Sequence, residues 1–122
     1  GQPACAPLPA ALQGLMGKAA ALCREALAID PADAQAHYLL GYALNAGGDK
    51  AGAVAAYRAA IAADPQHADA HCNLGAVLGS RGDHAGAARL FAAALKIDPS
   101  HADAKANLQL ALRMLKEERR EA

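Results

Sequence analysis

Apolar residues return every three to four positions along most of the chain, and Gly-Asp and Asp-Pro pairs interrupt the pattern at regular intervals. A period near 3.6 punctuated in this way predicts amphipathic helices separated by tight turns. Helices are expected over about 34–46 and 51–63, joined at Gly47-Gly48-Asp49, and over about 68–80 and 85–97, joined at Gly82-Asp83. Both turns put glycine where a positive backbone angle costs least. Upstream, a helix is expected over about 17–30. The prolines at 3, 7 and 9 leave room for at most a short helix near 9–14 before it, because each removes a donor and restricts its predecessor. Downstream, a helix from 102 to about 120 runs on into the charged stretch KEERRE with no Gly-Asp turn.

The helices repeat. Asp30-Pro31, Asp64-Pro65 and Asp98-Pro99 stand 34 residues apart, followed by PADAQAHYLLGYAL, PQHADAHCNLGAVL and PSHADAKANLQLAL. Self-similarity at this period marks a stack of helical hairpins. In the first full copy His37, Leu40, Gly41 and Leu44 precede Ala53, Tyr57 and Pro65; in the second, His71, Leu74, Gly75 and Leu78 precede Ala87, Phe91 and Pro99. Ala19, Cys23, Ala26 and Pro31 fall on the same frame one unit earlier.

This pattern resembles the tetratricopeptide repeat (TPR) family, whose units carry Trp, Leu, Gly and Tyr on a first helix, Ala and an aromatic on a second, and a closing Pro. The departures are His37 and His71 in place of Trp, and Leu44 and Leu78 in place of Tyr. The resemblance implies an all-α, right-handed superhelical solenoid of antiparallel helix-turn-helix hairpins with a C-terminal capping helix. Its divisions would be a degenerate N-terminal repeat or cap at 1–33, repeats at 34–67 and 68–101, and a partial repeat with a capping helix at 102–122.

Composition narrows the function classes. Twelve basic and twelve acidic side chains balance, so no net field favours nucleic acid or anionic lipid. Glycines and charges interrupt every apolar run before the roughly 20 residues a membrane span needs. Three cysteines, an odd number without metal-ligand spacing, suit a reducing compartment, and a soluble cytoplasmic protein is expected. The chain opens on Gly1 with no visible signal sequence, and is read as a processed product or a piece of a longer one. Thirty-six alanines favour helix and close helix approach, leaving Tyr57 and Phe91 as the large recurring core residues.

No catalytic chemistry is expected. The sequence lacks a phosphate-binding Gly-rich loop, a nucleophile elbow and a paired-carboxylate constellation, and Gly47-Gly48-Asp49 is accounted for by its turn. His67, His71 and Cys72 are the nearest approach to a ligand set, but Cys72 points about 100° away from His71 on a helix, so no metal or other cofactor is expected.

Function in the resembled family lies on the inner surface lined by the first helix of each hairpin. Carried onto this chain, that surface holds Gln35, Tyr38, Tyr42 and Asn45, then Asp69, Cys72, Asn73 and Ala76, then Asp103, Asn107 and Leu110. Tyr38 and Tyr42 share a helical face at a spacing of four; they serve either as contacts for an extended ligand or as packing against the N-terminal cap. Asn73 and Asn107, one repeat apart, are similar to the asparagine ladder of O-linked N-acetylglucosamine transferases, with Leu39 breaking it in the first repeat; solvation of an exposed helix is the plainer alternative. Repeats that clamp a chaperone's C-terminal carboxylate carry Lys, Asn and Arg where this chain has Tyr38, Tyr42, Asn73, Asp103 and Asn107, and only Asn73 fits. The groove aspartates point instead to a neutral or mildly basic protein segment. The expected role is thus a non-catalytic interaction scaffold with Gln35, Tyr38, Tyr42, Asn45, Asp69, Asn73, Asp103 and Asn107 in its groove. The alternatives are an arm of a larger enzyme such as a glycosyltransferase, or a self-assembling module whose truncated first unit leaves an apolar face partly covered. The N-terminal stretch GQPACAPLP folding back as an internal ligand is a further expectation.

Overall fold

The computed structural model describes residues 9–121, and the fold-back expected of the N-terminal stretch falls almost wholly outside them. Six helices follow in order: α1 (Ala10–Ile29), α2 (Ala34–Ala46), α3 (Lys50–Ala63), α4 (Ala68–Ser80), α5 (His84–Ile97) and α6 (Ala102–Glu121). Among the described residues there is no strand. Helices α2 to α6 lie where the apolar period placed them. The N-terminal expectation needs correction: α1 is one continuous 20-residue helix, not a short helix followed by a second beginning near 17. Pro9 sits at its N-cap, where its carbonyl accepts from the Gln13 N–H (3.0 Å) and the N–H it lacks would have no helical partner, so it costs nothing there. Gly14 and Gly17 each weaken the helix by about 1 kcal/mol, too little to break a run of Ala, Leu, Gln, Met and Lys.

Each boundary has a local cause. Asp33, Asp49 and Asp83 cap α2, α3 and α5 by accepting from the backbone N–H groups of Ala36 (3.1 Å), Gly52 (2.8 Å) and Gly86 (2.8 Å). The turns closing α2 and α4 place Gly48 at φ 97° and Gly82 at φ 91°, and the next N–H, of Asp49 or Asp83, returns to the carbonyl of Leu44 (2.8 Å) or Leu78 (2.9 Å). This is the Schellman arrangement. The Asp-Pro pairs end the second helices. Proline forces its predecessor out of the helical region, and Asp30, Asp64 and Asp98 are extended at φ −133°, −139° and −131°. Their carboxylates then accept from the N–H two residues on, in Ala32, Gln66 and Ser100, which fixes each connection.

Packing runs from neighbour to neighbour. Tyr57 and Ala53 of α3 pack with Leu74 and Val77 of α4, and Phe91 and Ala87 of α5 pack with Ala104 and Ala111 of α6. The aromatic rings lie against glycines of the preceding helix. A Cβ at Gly41 would stand 2.7 Å from the Tyr57 ring, and one at Gly75 2.8 Å from that of Phe91. The histidines that replace the expected Trp do more than fill space. His37 donates through Nε2 to the Pro31 carbonyl (2.8 Å) and His71 to that of Pro65 (3.0 Å), tying each first helix to the loop before it.

Helix α2 touches α4, and α4 touches α6, whereas among the described residues the second helices α1, α3 and α5 make no contact with one another. The first helices therefore crowd together on one side while the second helices splay apart on the other. The stack curves, and α2, α4 and α6 line its inner face.

Candidate functional site

The inner face collects one stripe from each first helix at the spacing of a helical turn. From α2 come Gln35, Tyr38, Leu39, Tyr42 and Asn45; from α4, Asp69, Asn73 and Ala76; from α6, Asp103, Asn107 and Leu110. All eight residues expected in the groove lie on these helices, but they divide into two groups.

One group is engaged within the molecule. Asn73 donates through Nδ2 toward the hydroxyls of Tyr38 (3.3 Å) and Tyr57 (3.4 Å). Tyr38 is half-buried between the Tyr57 ring (centroids 5.9 Å apart) and the His67 ring (4.7 Å). Through these contacts it bridges the first and second full repeats. Burial pushes the Tyr38 phenol above its ordinary range and that of Tyr57 to about 12, with the Asn73 hydrogen bond acting in the opposite sense. Asn107 bonds to the Cys72 thiol, which burial pushes up to about 11. Cys72 is a core residue between α4, α5 and α6, although its position had assigned it to the groove wall. Asn45 places its Oδ1 in the interior, with no hydrogen-bond partner among the described residues.

Two further links span the repeats. His67 and His101 cap α4 and α6 through Nδ1, which accepts from Ala70 and Ala104 at 3.1 Å each. Their Nε2 atoms then reach back to Gln35 (2.9 Å) and Asp69 (2.7 Å) on the preceding first helix. Because Nδ1 accepts, Nε2 carries the proton and donates. This cap-and-reach role went unread in the sequence, although the signal was present: His-Ala-Asp recurs at 67–69 and 101–103, directly before two helices.

The other group faces solvent. Tyr42 is 56% exposed, Leu39 46% and Leu110 51%. Gln35, Asp69, Ala76 and Asp103 are exposed beside them, Gln35 and Asp69 while also accepting from His67 and His101. The accessible part of the inner face is accordingly an apolar track from Leu39 and Tyr42 across Ala76 to Leu110, bordered by two carboxylates. Leu39 was read only as a gap in the asparagine ladder; structurally it extends the track. Among the described residues no group of three or more metal-binding side chains converges, and no helix is long and apolar enough to cross a membrane.

The comparisons with known proteins agree with this geometry. A family profile described as TPR repeat matches residues 41–80, and one described as Tetratricopeptide repeat matches 68–101; together they span half of the chain. The chain is a tetratricopeptide repeat protein. Among solved structures it is similar to a MamA protein, at 31% identity and TM-score 0.77 over 82% of this chain and 55% of that one. An O-GlcNAc transferase mutant from Thermobaculum terrenum is 30% identical, with TM-score 0.72, over 84% of this chain and 21% of its own length. The first TPR of Spaghetti (RPAP3), bound to an HSP90 peptide, shares the fold with TM-score 0.81 at 18% identity, over 85% of this chain and 82% of that one. The TPR chain thus spans a little over half of the MamA structure and about a fifth of the transferase. No curated protein matches in sequence.

Proposed function

We propose that this TPR chain is a non-catalytic scaffold that binds an extended or helical protein segment along the face lined by α2, α4 and α6. The observation that carries the reading is the exposed track of Leu39, Tyr42 and Leu110 beside Asp69 and Asp103. An exposed tyrosine offers a large contact area at small conformational cost, and carboxylates at the rim select the charge of what approaches. The segment is accordingly neutral to mildly basic. Asn73 and Tyr38, already bonded to each other, act as supports that hold the wall in shape. Among the neighbours one TPR is bound to the HSP90 peptide SRMEEVD, which favours peptide recognition as the mode of action. An acidic segment of that kind fits poorly here, because Asp103 stands where an anion-binding repeat carries a cation.

The test is selection from a phage-displayed library of twelve-residue peptides on the immobilised chain. Enriched peptides are expected to carry Lys or Arg beside apolar residues. Their affinity should fall about tenfold for Tyr42→Ala and several-fold for Asp69→Asn with Asp103→Asn. Failure to enrich, or equal binding to the variants, would sink the assignment to this face. A second reading follows from the transferase neighbour: the same groove presents a substrate segment to a catalytic domain outside this chain. It predicts enriched peptides rich in Ser and Thr.

A further inference from the structure

We propose that two copies of this chain pair antiparallel through α1, each covering the exposed apolar face of the other. The inference goes beyond the groove and uses none of its residues.

Along α1, Leu12, Leu15, Ala19, Leu22, Ala26 and Ile29 recur at spacings of three and four, the seam of two paired helices. Leu12, Leu15, Leu22 and Ile29 are 43%, 52%, 65% and 87% exposed, four of the eight large apolar side chains left open among the described residues. The same register one repeat later is Ala53, Ala56 and Ala60 of α3, exposed by only 0%, 6% and 0% within the stack. This is therefore the face a second helix uses for packing, and in α1 its large side chains are exposed among the described residues.

The seam complements itself. In an antiparallel pair centred between Ala19 and Leu22, Leu12 meets Ile29, Leu15 meets Ala26, and Ala19 meets Leu22 of the second copy. Large faces small through the middle layers, as close packing requires. Parallel pairing would instead set Ala19 on Ala19 and Ala26 on Ala26, leaving gaps between layers of paired leucines. Charge gives the same answer. Lys18 and Glu25 occupy equivalent flanking positions, which face each other only in the antiparallel arrangement and form two opposite-charge pairs. Helix α6 is less suited to pairing, because it finishes in Lys116, Glu117, Glu118, Arg119, Arg120 and Glu121.

Sedimentation equilibrium of the full chain tests the proposal. The wild type is expected to approach twice 12.4 kDa with a dissociation constant on the order of micromolar, since the interface is short. Leu22→Glu should remain helical by circular dichroism, its site being mostly exposed, and should be monomeric. Lys18→Glu and Glu25→Lys should each weaken pairing about tenfold, and the double variant should restore it. A monomeric wild type at every concentration, or a dimer indifferent to Leu22→Glu, would overturn the proposal. Dimers whose charge variants show no restoration would overturn the antiparallel arrangement. Tyr42→Ala is expected to leave the dimer intact while weakening peptide binding, which separates failure of this inference from failure of the groove.

Discussion

Glycines in this chain divide by what a methyl group would meet, and the division converts directly into stability. At Gly75 a Cβ would lie 2.8 Å from the Phe91 ring and 3.2 Å from the Ala87 carbonyl oxygen. Neither neighbour can retreat, since Ala87 is backbone and Phe91 fills the core. Gly75→Ala is expected to cost about 1–3 kcal/mol in overpacking, reduced by about 1 kcal/mol of helix propensity. At Gly14 nothing stands within 4 Å and the backbone is helical, so only the propensity term acts there. Gly14→Ala is therefore expected to stabilise the chain by about 0.5–1 kcal/mol. Thermal melts of the two variants should move in opposite directions from the wild type, and a parallel shift would refute the packing account. The same contrast explains Gln109, which stands one repeat after Gly75. At that position a side chain in place of glycine leaves no room for an aromatic ring to lie over α6 as Phe91 lies over α4.

The helices from α2 onward were legible in the sequence because each boundary is set by a local rule. A carboxylate cap, a glycine that reverses the chain and a proline that forbids continuation all act within four residues. The N-terminal helix was misread because the same local rules were applied to Pro9 without asking whether its N–H was needed. The groove was only half legible, for a different reason. Periodicity tells which side of a helix a residue occupies, but whether Asn73 is available depends on Tyr38 and Tyr57, which lie 35 and 16 positions away. The histidine links were missed because a cap read from sequence is usually Asp, Ser or Asn. Their two functions separate at α6. His101→Ala removes the cap and the reach to Asp69, whereas His101→Asn keeps a good capping side chain and loses only the reach. Asp69 is 61% exposed, so solvent screens that contact and it contributes little. His101→Ala is expected to cost about 1 kcal/mol and His101→Asn under about 0.5 kcal/mol. Urea denaturation of both distinguishes a cap from a true inter-repeat tie, which would make the two losses equal.

Across the whole molecule, stability depends on interfaces between neighbouring helices, and the protons of Cys72 and Tyr57 are held most tightly inside those interfaces. Burial raises the Cys72 thiol to about 11 and the Tyr57 phenol to about 12. In the unfolded chain such groups ionise near 8.5 and 10. Each native value lies above its unfolded one, so the stabilisation is complete below the unfolded pKa and is lost as pH rises toward the native value. The chain should therefore hold its stability up to about pH 8 and lose it progressively between roughly pH 8.5 and 12. Cys72→Ala removes the first of the two protons, and should flatten the early part of this alkaline limb at the cost of a small cavity. Tyr57→Phe leaves the ring over Gly41 and should flatten the later part, although it also releases Asn73 from one of its two bonds. The two limbs report different interfaces, because Tyr57 lies where α3 meets α4 and Cys72 where α4 meets α5 and α6. If the stack unfolds as one cooperative unit, both variants shift the same transition measured by circular dichroism. If it opens from an end, Cys72→Ala alone should change the pH at which α6 detaches, and a thiol reagent should modify Cys72 before Tyr57 ionises. A denaturation series at pH 8, 9.5 and 11 decides between a single unit and sequential opening, the two behaviours a stack held by nearest-neighbour contacts allows.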